Sequence, residues 1–317
     1  MRSALIIGAG GQDGRLLAPF LSDRGYAVRG WVRQEPGTPL SCEYAAIDIS
    51  HAESIVRELR AHQPNEIYYL AAFHHSTEAL IEVDTAELLR RSFDVHVMGL
   101  LNVLQAMTGC CPHARLFYAA SSHVFGICAE ERKDESSPLR PSSAYAISKT
   151  AGLRCCQLFR QQERIFAAIG ILFNHESSLR KSSFVSQKIV RGALRARRDR
   201  AFQLTLGDID ARVDWGYAPD YVDAMFRILQ FPEPDDFVVA SGELHSVREF
   251  AALVFEEVGL DWRDHVKTDA QLLKRTSYPF RGDSAKLRAA TGWSPSVSFR
   301  ELVTNLVQET EKSDEIL

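Results

Sequence analysis

The stretch SALIIGAGGQDG at residues 3–14 constrains the fold more than any other part of the chain. An unbroken run of apolar residues suits a strand buried on both faces, and the glycines after it suit a tight turn. Residues 12–24 then carry helical spacing, and YAVRGWV at 26–32 returns to strand character. Strand, glycine turn, helix and strand in that order impose a right-handed crossover and parallel pairing. The alternation continues through a helix near 51–62, EIYYLAA, a helix through 85–108 and ARLFYAAS. The expected fold is α/β: a Rossmann-type doubly wound parallel sheet within residues 1–174.

After FAAIGILFN (166–174) the alternation breaks down, and residues 175–317 read as a smaller, mixed α/β C-terminal region that binds substrate and is discontinuous. The chain is expected to return to the first domain around 213–250, where FVVASG (237–242) has the pattern of another buried strand. Ligands in such sheets lie beyond the carboxyl ends of the strands, so those ends mark the site.

A formal net charge of −4 argues against a nucleic-acid partner, which needs a net basic face. The basic run RGALRARRDR (191–200) reads as a solvated helix face or, alternatively, as an anion site for one phosphorylated ligand. Six cysteines, with no CxxC pair and no zinc spacing, read as reduced structural thiols, so no metal is expected. No apolar run approaches the ~20 residues of a membrane span. MRSALIIGAGG enters the first strand without room for a secretory signal, and the expected compartment is the cytoplasm.

GAGGQDG follows a strand and opens a helix, the context in which glycines bind phosphate. Gly8 permits the turn, Gly11 lets backbone approach a pyrophosphate, and Gly14 lets helix pack on strand; Gln12 and Asp13 lie between them. The free N–H groups of the helix N-terminus then face the anion. The second strand ends GWVRQ, with Arg33 where an acidic residue would hold a ribose 2′-hydroxyl. A cation there suits a 2′-phosphate and favours NADP over NAD. Asp48 and Ile49, and then Leu70, Ala71 and Ala72, occupy later strand ends against the same cofactor; Asp48 meets adenine or caps a turn.

FYAASSHVFG (117–126) ends a buried strand by presenting Ser121, Ser122 and His123, and AYAISK places Tyr145 and Lys149 four residues apart on one helix face. A lysine ammonium stabilises tyrosinate, so the phenol can act as a base near neutral pH, and the Ser121 hydroxyl can bond the same substrate oxygen.

These features, with GQDGRLLAPFLSDRGYAVRGWVR, ILFNHESSLRKSSFVSQKIVRG, DWGYAPDYVDAM, VVASGELHSVREF and ATGWSPSVSFRELV, make the chain resemble extended short-chain dehydrogenases/reductases, in particular the GDP-mannose 4,6-dehydratase family. The resemblance runs almost end to end. It implies C4 oxidation of a GDP-hexose such as GDP-mannose, loss of water across C5 and C6, and return of the hydride to C6. It also implies a homodimer or homotetramer. Ser121 takes the place of the family's threonine, with Tyr145 and Lys149 unchanged; Asn174, Lys188 and Arg275 are similar to its nucleotide-sugar contacts, and His75 and Ser122 join the substrate side.

Two departures stand out. The family's Ser-Thr-Ser-Glu-Leu-Tyr-Gly is ASSHVFG here, so His123 replaces the glutamate expected to move protons at C5 and C6. In ARVDWG the family's arginine before Asp-Trp is Val213, leaving Arg212 as a neighbouring substitute. FHHS (73–76) also differs: His75 matches a family histidine and His74 does not. The alternatives are a GDP-sugar 4-reductase or epimerase without dehydration, which needs only the serine, tyrosine and lysine, and a non-catalytic cofactor-binding protein.

Overall fold

The computed structural model describes residues 1–74, 84–127, 130–269 and 279–315. Seven strands form one parallel sheet: β1 (Ser3–Ile7), β2 (Ala27–Val32), β3 (Glu43–Ala46), β4 (Glu66–Tyr69), β5 (Arg115–Ser121), β6 (Phe166–Leu172) and β7 (Asp236–Val239). Their spatial order is 3-2-1-4-5-6-7, and Ile7 pairs with Trp31 on one side and Tyr69 on the other. The order reverses between β1 and β4, which opens a crevice at their carboxyl ends.

The helices are α1 (Gln12–Ser22), α2 (Ala52–His62), α3 (Thr85–Phe93), α4 (Gly99–Cys110), α5 (Ala144–Gln162), α6 (Val185–Arg198), α7 (Ala218–Gln230), α8 (Val247–Glu257), α9 (Trp262–His265), α10 (Ala285–Thr291) and α11 (Phe299–Glu315). Because side chains alternate along a strand, β1 sends Leu5 and Ile7 to one core with α2, α4 and α5. It sends Ala4 and Ile6 to a second core with α1, α7 and α10. Both faces of the sheet are thus covered, which is why its strands read as continuous apolar runs.

The helix expected through 85–108 carries a π-helical turn, Asp94–Met98, between α3 and α4. The wider turn inserts a residue into the helical ladder and brings His96 and Val97 inward; both are buried.

Beyond residue 174 a third core gathers Ile189 and Leu194 of α6, Phe250 and Phe255 of α8, and Leu302 and Leu306 of α11. The chain enters the sheet cores twice from this region, first with α7 and β7 and again with Leu287 and Trp293. Asp214 fastens these segments together. Its buried carboxylate accepts from the main-chain N–H groups of Ser241, Gly242 and Gly282 and from the Ser241 hydroxyl.

Candidate active site

A cavity of about 910 Å³ opens at the carboxyl ends of β1, β4, β5 and β6. Its floor is the glycine turn. Gly8 has φ +94°, and a Cβ there would lie 2.8 Å from the Ala71 nitrogen; one at Gly14 would lie 2.6 Å from the Ala9 Cα. Only hydrogen at both positions allows strand, turn and helix to meet this closely. Gly11 caps α1 without a side-chain bond, so the first N–H groups of that helix are presented to the cavity. The cradle fits a dinucleotide pyrophosphate.

Gln12 and Asp13 line the cavity and also tie α1 to the segment after β6. Gln12 Nε2 donates to the His175 carbonyl at 3.1 Å and accepts from Ser177 through Oε1 at 2.9 Å. His175 Nε2 lies 3.0 Å from Asp13 Oδ1, and its Nδ1 is 2.7 Å from the Phe173 carbonyl. The ring also stacks on Tyr221 at 4.5 Å. Burial by itself would raise the Asp13 carboxyl, but the His175 charge and hydrogen bond outweigh it and hold it at about 2. Asp13 in turn raises His175 above its ordinary value against the effect of burial.

Arg33 is exposed at the end of β2 and lines the cavity, as do Asp48, Ile49, Leu70, Ala71 and Ala72. Glu35 also lines it, but the Tyr44 phenol of β3 hydrogen-bonds its carboxylate. Asp48 accepts from the Ser50 N–H at 2.9 Å and pairs with His51, so its carboxylate serves the turn into α2.

Opposite the glycine turn, Ser143 caps α5 by accepting from the Ala146 N–H at 3.2 Å, which starts the helix just before Tyr145. Tyr145 and Lys149 line the cavity together with Ser121 and His123. Lys149 is buried, and its Nζ donates to the Ala119 carbonyl at 2.7 Å. Its Nζ is 5.9 Å from the centroid of the Tyr145 ring. Burial pushes the Lys149 ammonium down to about 7, against the Asp13 charge. Burial pushes the Tyr145 phenol up to about 12, opposed by its hydrogen bond with the Ser121 hydroxyl and the charge of Arg180. The protein by itself therefore does not produce the lowered phenol expected from helical spacing, because desolvation outweighs the hydrogen bond of Ser121 and the charge of Arg180 at Tyr145.

Three histidines meet Tyr145 edge-on. Ring centroids lie 5.7 Å away for His123, 5.6 Å for His74 and 5.2 Å for His96. His123 sits in a 3₁₀ turn, Ser122–Phe125, whose first N–H bond is closed by Ser121 Oγ. His74 packs on Phe184, whose ring also lies 4.0 Å from the Arg180 guanidinium.

The model of the family described as GDP-mannose 4,6 dehydratase matches residues 5–306. The chain belongs to the GDP-mannose 4,6-dehydratase family. "GDP-mannose 4,6 dehydratase 1" of Arabidopsis thaliana is 36% identical, with 96% of this chain and 89% of the relative covered. The family member of Homo sapiens is 34% identical, with 96% and 90% covered. Among solved structures, dTDP-glucose 4,6-dehydratase of Bacillus anthracis, in complex with NAD, superimposes with a TM-score of 0.84 at 17% identity, covering 99% and 98% of the two chains. RMD of Pseudomonas aeruginosa, complexed with NADPH, gives 0.81 at 24% identity, covering 99% and 100%. These two likenesses concern the fold.

Of the substrate-side residues suggested by resemblance to the GDP-mannose 4,6-dehydratase family, Asn174 lines the cavity. Ser122 is buried in the 3₁₀ turn and does not line it, because the turn points this side chain into the protein. Lys188 is half-buried on α6 and Arg212 exposed in a short ladder with Ser246; neither lines this cavity. His75 and Arg275 lie outside the described residues. The motif reading missed His96 and Arg180. Nothing in a helical pattern marks the π turn that carries His96 inward, and Arg180 is one arginine among many until folding brings it to Tyr145.

Proposed function

We propose that the chain is an NADP-dependent nucleotide-sugar 4,6-dehydratase acting on a GDP-hexose such as GDP-mannose. One observation carries the reading: a single cavity joins the glycine cradle and Arg33 to Ser121, Tyr145, Lys149 and His123. The glycine cradle and Arg33 would hold the oxidised coenzyme, which would supply reversible hydride transfer with the sugar and a cationic ring that lowers the phenol's pKa.

Tyr145 takes the C4 hydroxyl proton while the Ser121 hydroxyl bonds the same oxygen. The C4 ketone acidifies C5. Neutral His123 removes the C5 proton and delivers it to the departing C6 hydroxyl, so one ring serves as base and then as acid. Water leaves, and as C6 becomes the methyl carbon C5 takes its final proton from solvent through His123. Tyr145 releases its proton to solvent, so the sum is substrate minus water.

Incubation with GDP-mannose and catalytic NADP⁺ tests this. The expected product is a 4-keto-6-deoxy sugar lighter by one water in the mass spectrum. Conversion without that loss, or stoichiometric consumption of NADPH on a keto sugar, would replace dehydration by reduction or epimerisation.

The protein is further proposed to be a homodimer or homotetramer. Supporting this, Met98 on the π turn and Ile147 and Leu158 on one face of α5 are exposed apolar side chains. Light scattering of the protein and of Ile147→Asp with Leu158→Asp tests it; the pair of changes is expected to lower the mass. The cytoplasm is the proposed compartment, supported by the unpaired thiols of Cys42, Cys110, Cys111, Cys155 and Cys156. Fractionation of cells tests that.

A further inference from the structure

His96 is fully buried, and each of its ring nitrogens has a partner. The main-chain N–H of Phe73 donates to Nε2 at 3.0 Å. A nitrogen that accepts carries no hydrogen, so the neutral ring has its hydrogen on Nδ1. Nδ1 lies 2.8 Å from Ser148 Oγ, and the Ser148 hydroxyl donates to the Tyr145 carbonyl at 2.9 Å. Every hydrogen in this chain is accounted for: Phe73 N–H to His96, His96 Nδ1–H to Ser148, Ser148 O–H to Tyr145.

We propose that His96 is a positioning residue that sets Tyr145 and the strand-end segment Phe73–His74 in register with each other. The inference rests on the reading of Tyr145 as the base. Its geometry is two-sided. One nitrogen holds the segment after β4 that carries His74, and the other holds, through Ser148, the first turn of α5 that carries Tyr145. The imidazole also stands perpendicular to the Tyr145 ring at 5.2 Å, so it limits that ring from behind. The π turn makes this possible, since it turns His96 inward from a helix that otherwise runs along the surface of the sheet.

Gly152 completes the arrangement. A Cβ there would fall 2.5 Å from the His96 carbonyl and 2.3 Å from the Tyr118 phenol oxygen. Only glycine lets α5 approach the π turn closely enough for Ser148 to reach the ring. Burial, with the charges of Lys149 and His74, pushes His96 down to about 2, consistent with a ring that stays neutral and does no proton transfer. Acid–base work in the cavity is left to other side chains.

The test compares His96→Leu, His96→Gln and Ser148→Ala in the full chain, with steady-state kinetics on the nucleotide sugar, coenzyme titration and thermal melting. Removing the chain is expected to lower kcat by roughly 10²-fold, the cost of misplacing a reacting group by about 1 Å. KM and the coenzyme Kd are expected to stay within about threefold, because neither is set by the register of one phenol. Gln carries an acceptor and a donor on one amide and is expected to recover most of kcat. Ser148→Ala is expected to reproduce the Leu phenotype, and the double variant to add little to either. The proposal is overturned by wild-type kcat in His96→Leu, by additive effects of the two sites, or by loss of kcat, coenzyme binding and melting temperature together without rescue by Gln. Tyr145→Phe separates the two readings: an active Tyr145→Phe removes the underlying mechanism, whereas an inactive one beside an unimpaired His96→Leu removes only this inference.

Discussion

Lys149 directs its buried ammonium at the carbonyl oxygen of Ala119, 2.7 Å away, so the cation of the Tyr145–Lys149 pair is anchored to the end of β5. Ser121 lies two residues further along the same strand, and its hydroxyl bonds the Tyr145 phenol. One strand end therefore holds both groups that flank the phenol, and helix α5 supplies the phenol itself.

The effect of losing either side chain of the proposed catalytic pair on α5 follows from this arrangement. Tyr145→Phe and Lys149→Met should lower kcat by about 10²- to 10⁴-fold, the range for a positioned acid or base. Tyr145→Phe should leave coenzyme affinity unchanged by titration, whereas Lys149→Met should weaken it, because the ammonium also faces the cofactor cavity.

His123 is expected to carry the C5 proton. His123→Ala should bind coenzyme normally and fail to exchange C5 hydrogen for deuterium in D₂O, read by NMR. His123→Glu restores the residue of the family motif and should keep the exchange. Unaltered exchange in His123→Ala would make the ring a bystander.

Coenzyme choice should rest on Arg33. Arg33→Ala removes a charge-assisted bond worth about 1.5–3 kcal/mol, so NADP⁺ affinity should fall about 10- to 100-fold. NAD⁺ affinity should stay nearly constant, and isothermal titration of both coenzymes separates the two cases.

The Asp13–His175 pair predicts a pH window of stability. Asp13 is held at about 2, below its ordinary 3.8, so its contribution is present above that ordinary value and is lost as pH falls toward 2. His175 is raised above 6.5, so its contribution is present below 6.5 and is lost as pH rises through the raised value. The stability difference between the natural protein and His175→Gln should peak between about pH 4 and 6.5, at about 2 kcal/mol. Denaturant melts across that range measure it.

Much of the fold was legible because its causes are local. The apolar runs of β1, β4, β5 and β6 and the glycines at 8, 11 and 14 follow from what a buried strand and a phosphate turn require. Tyr145 and Lys149 share a helix face by spacing alone. The partition beyond residue 174 was harder to read, because Trp293 reaches its core through the Asp220 carbonyl, 2.8 Å from its indole nitrogen and far away in sequence.

By itself the sequence determined the parallel doubly wound sheet, the glycine cradle, the Ser121–Tyr145–Lys149 set and membership of the family, all encoded in period, spacing or motif. Tertiary structure alone decided which further side chains join Ser121 and His123 around the phenol. His74, His96 and His123 converge on it from three separate segments, and the pairing of Asp13 with His175 joins residues on opposite sides of the crevice. The reason is physical: burial and long-range contact set the ionisation of these groups, and neither exists until the strand ends have been brought together.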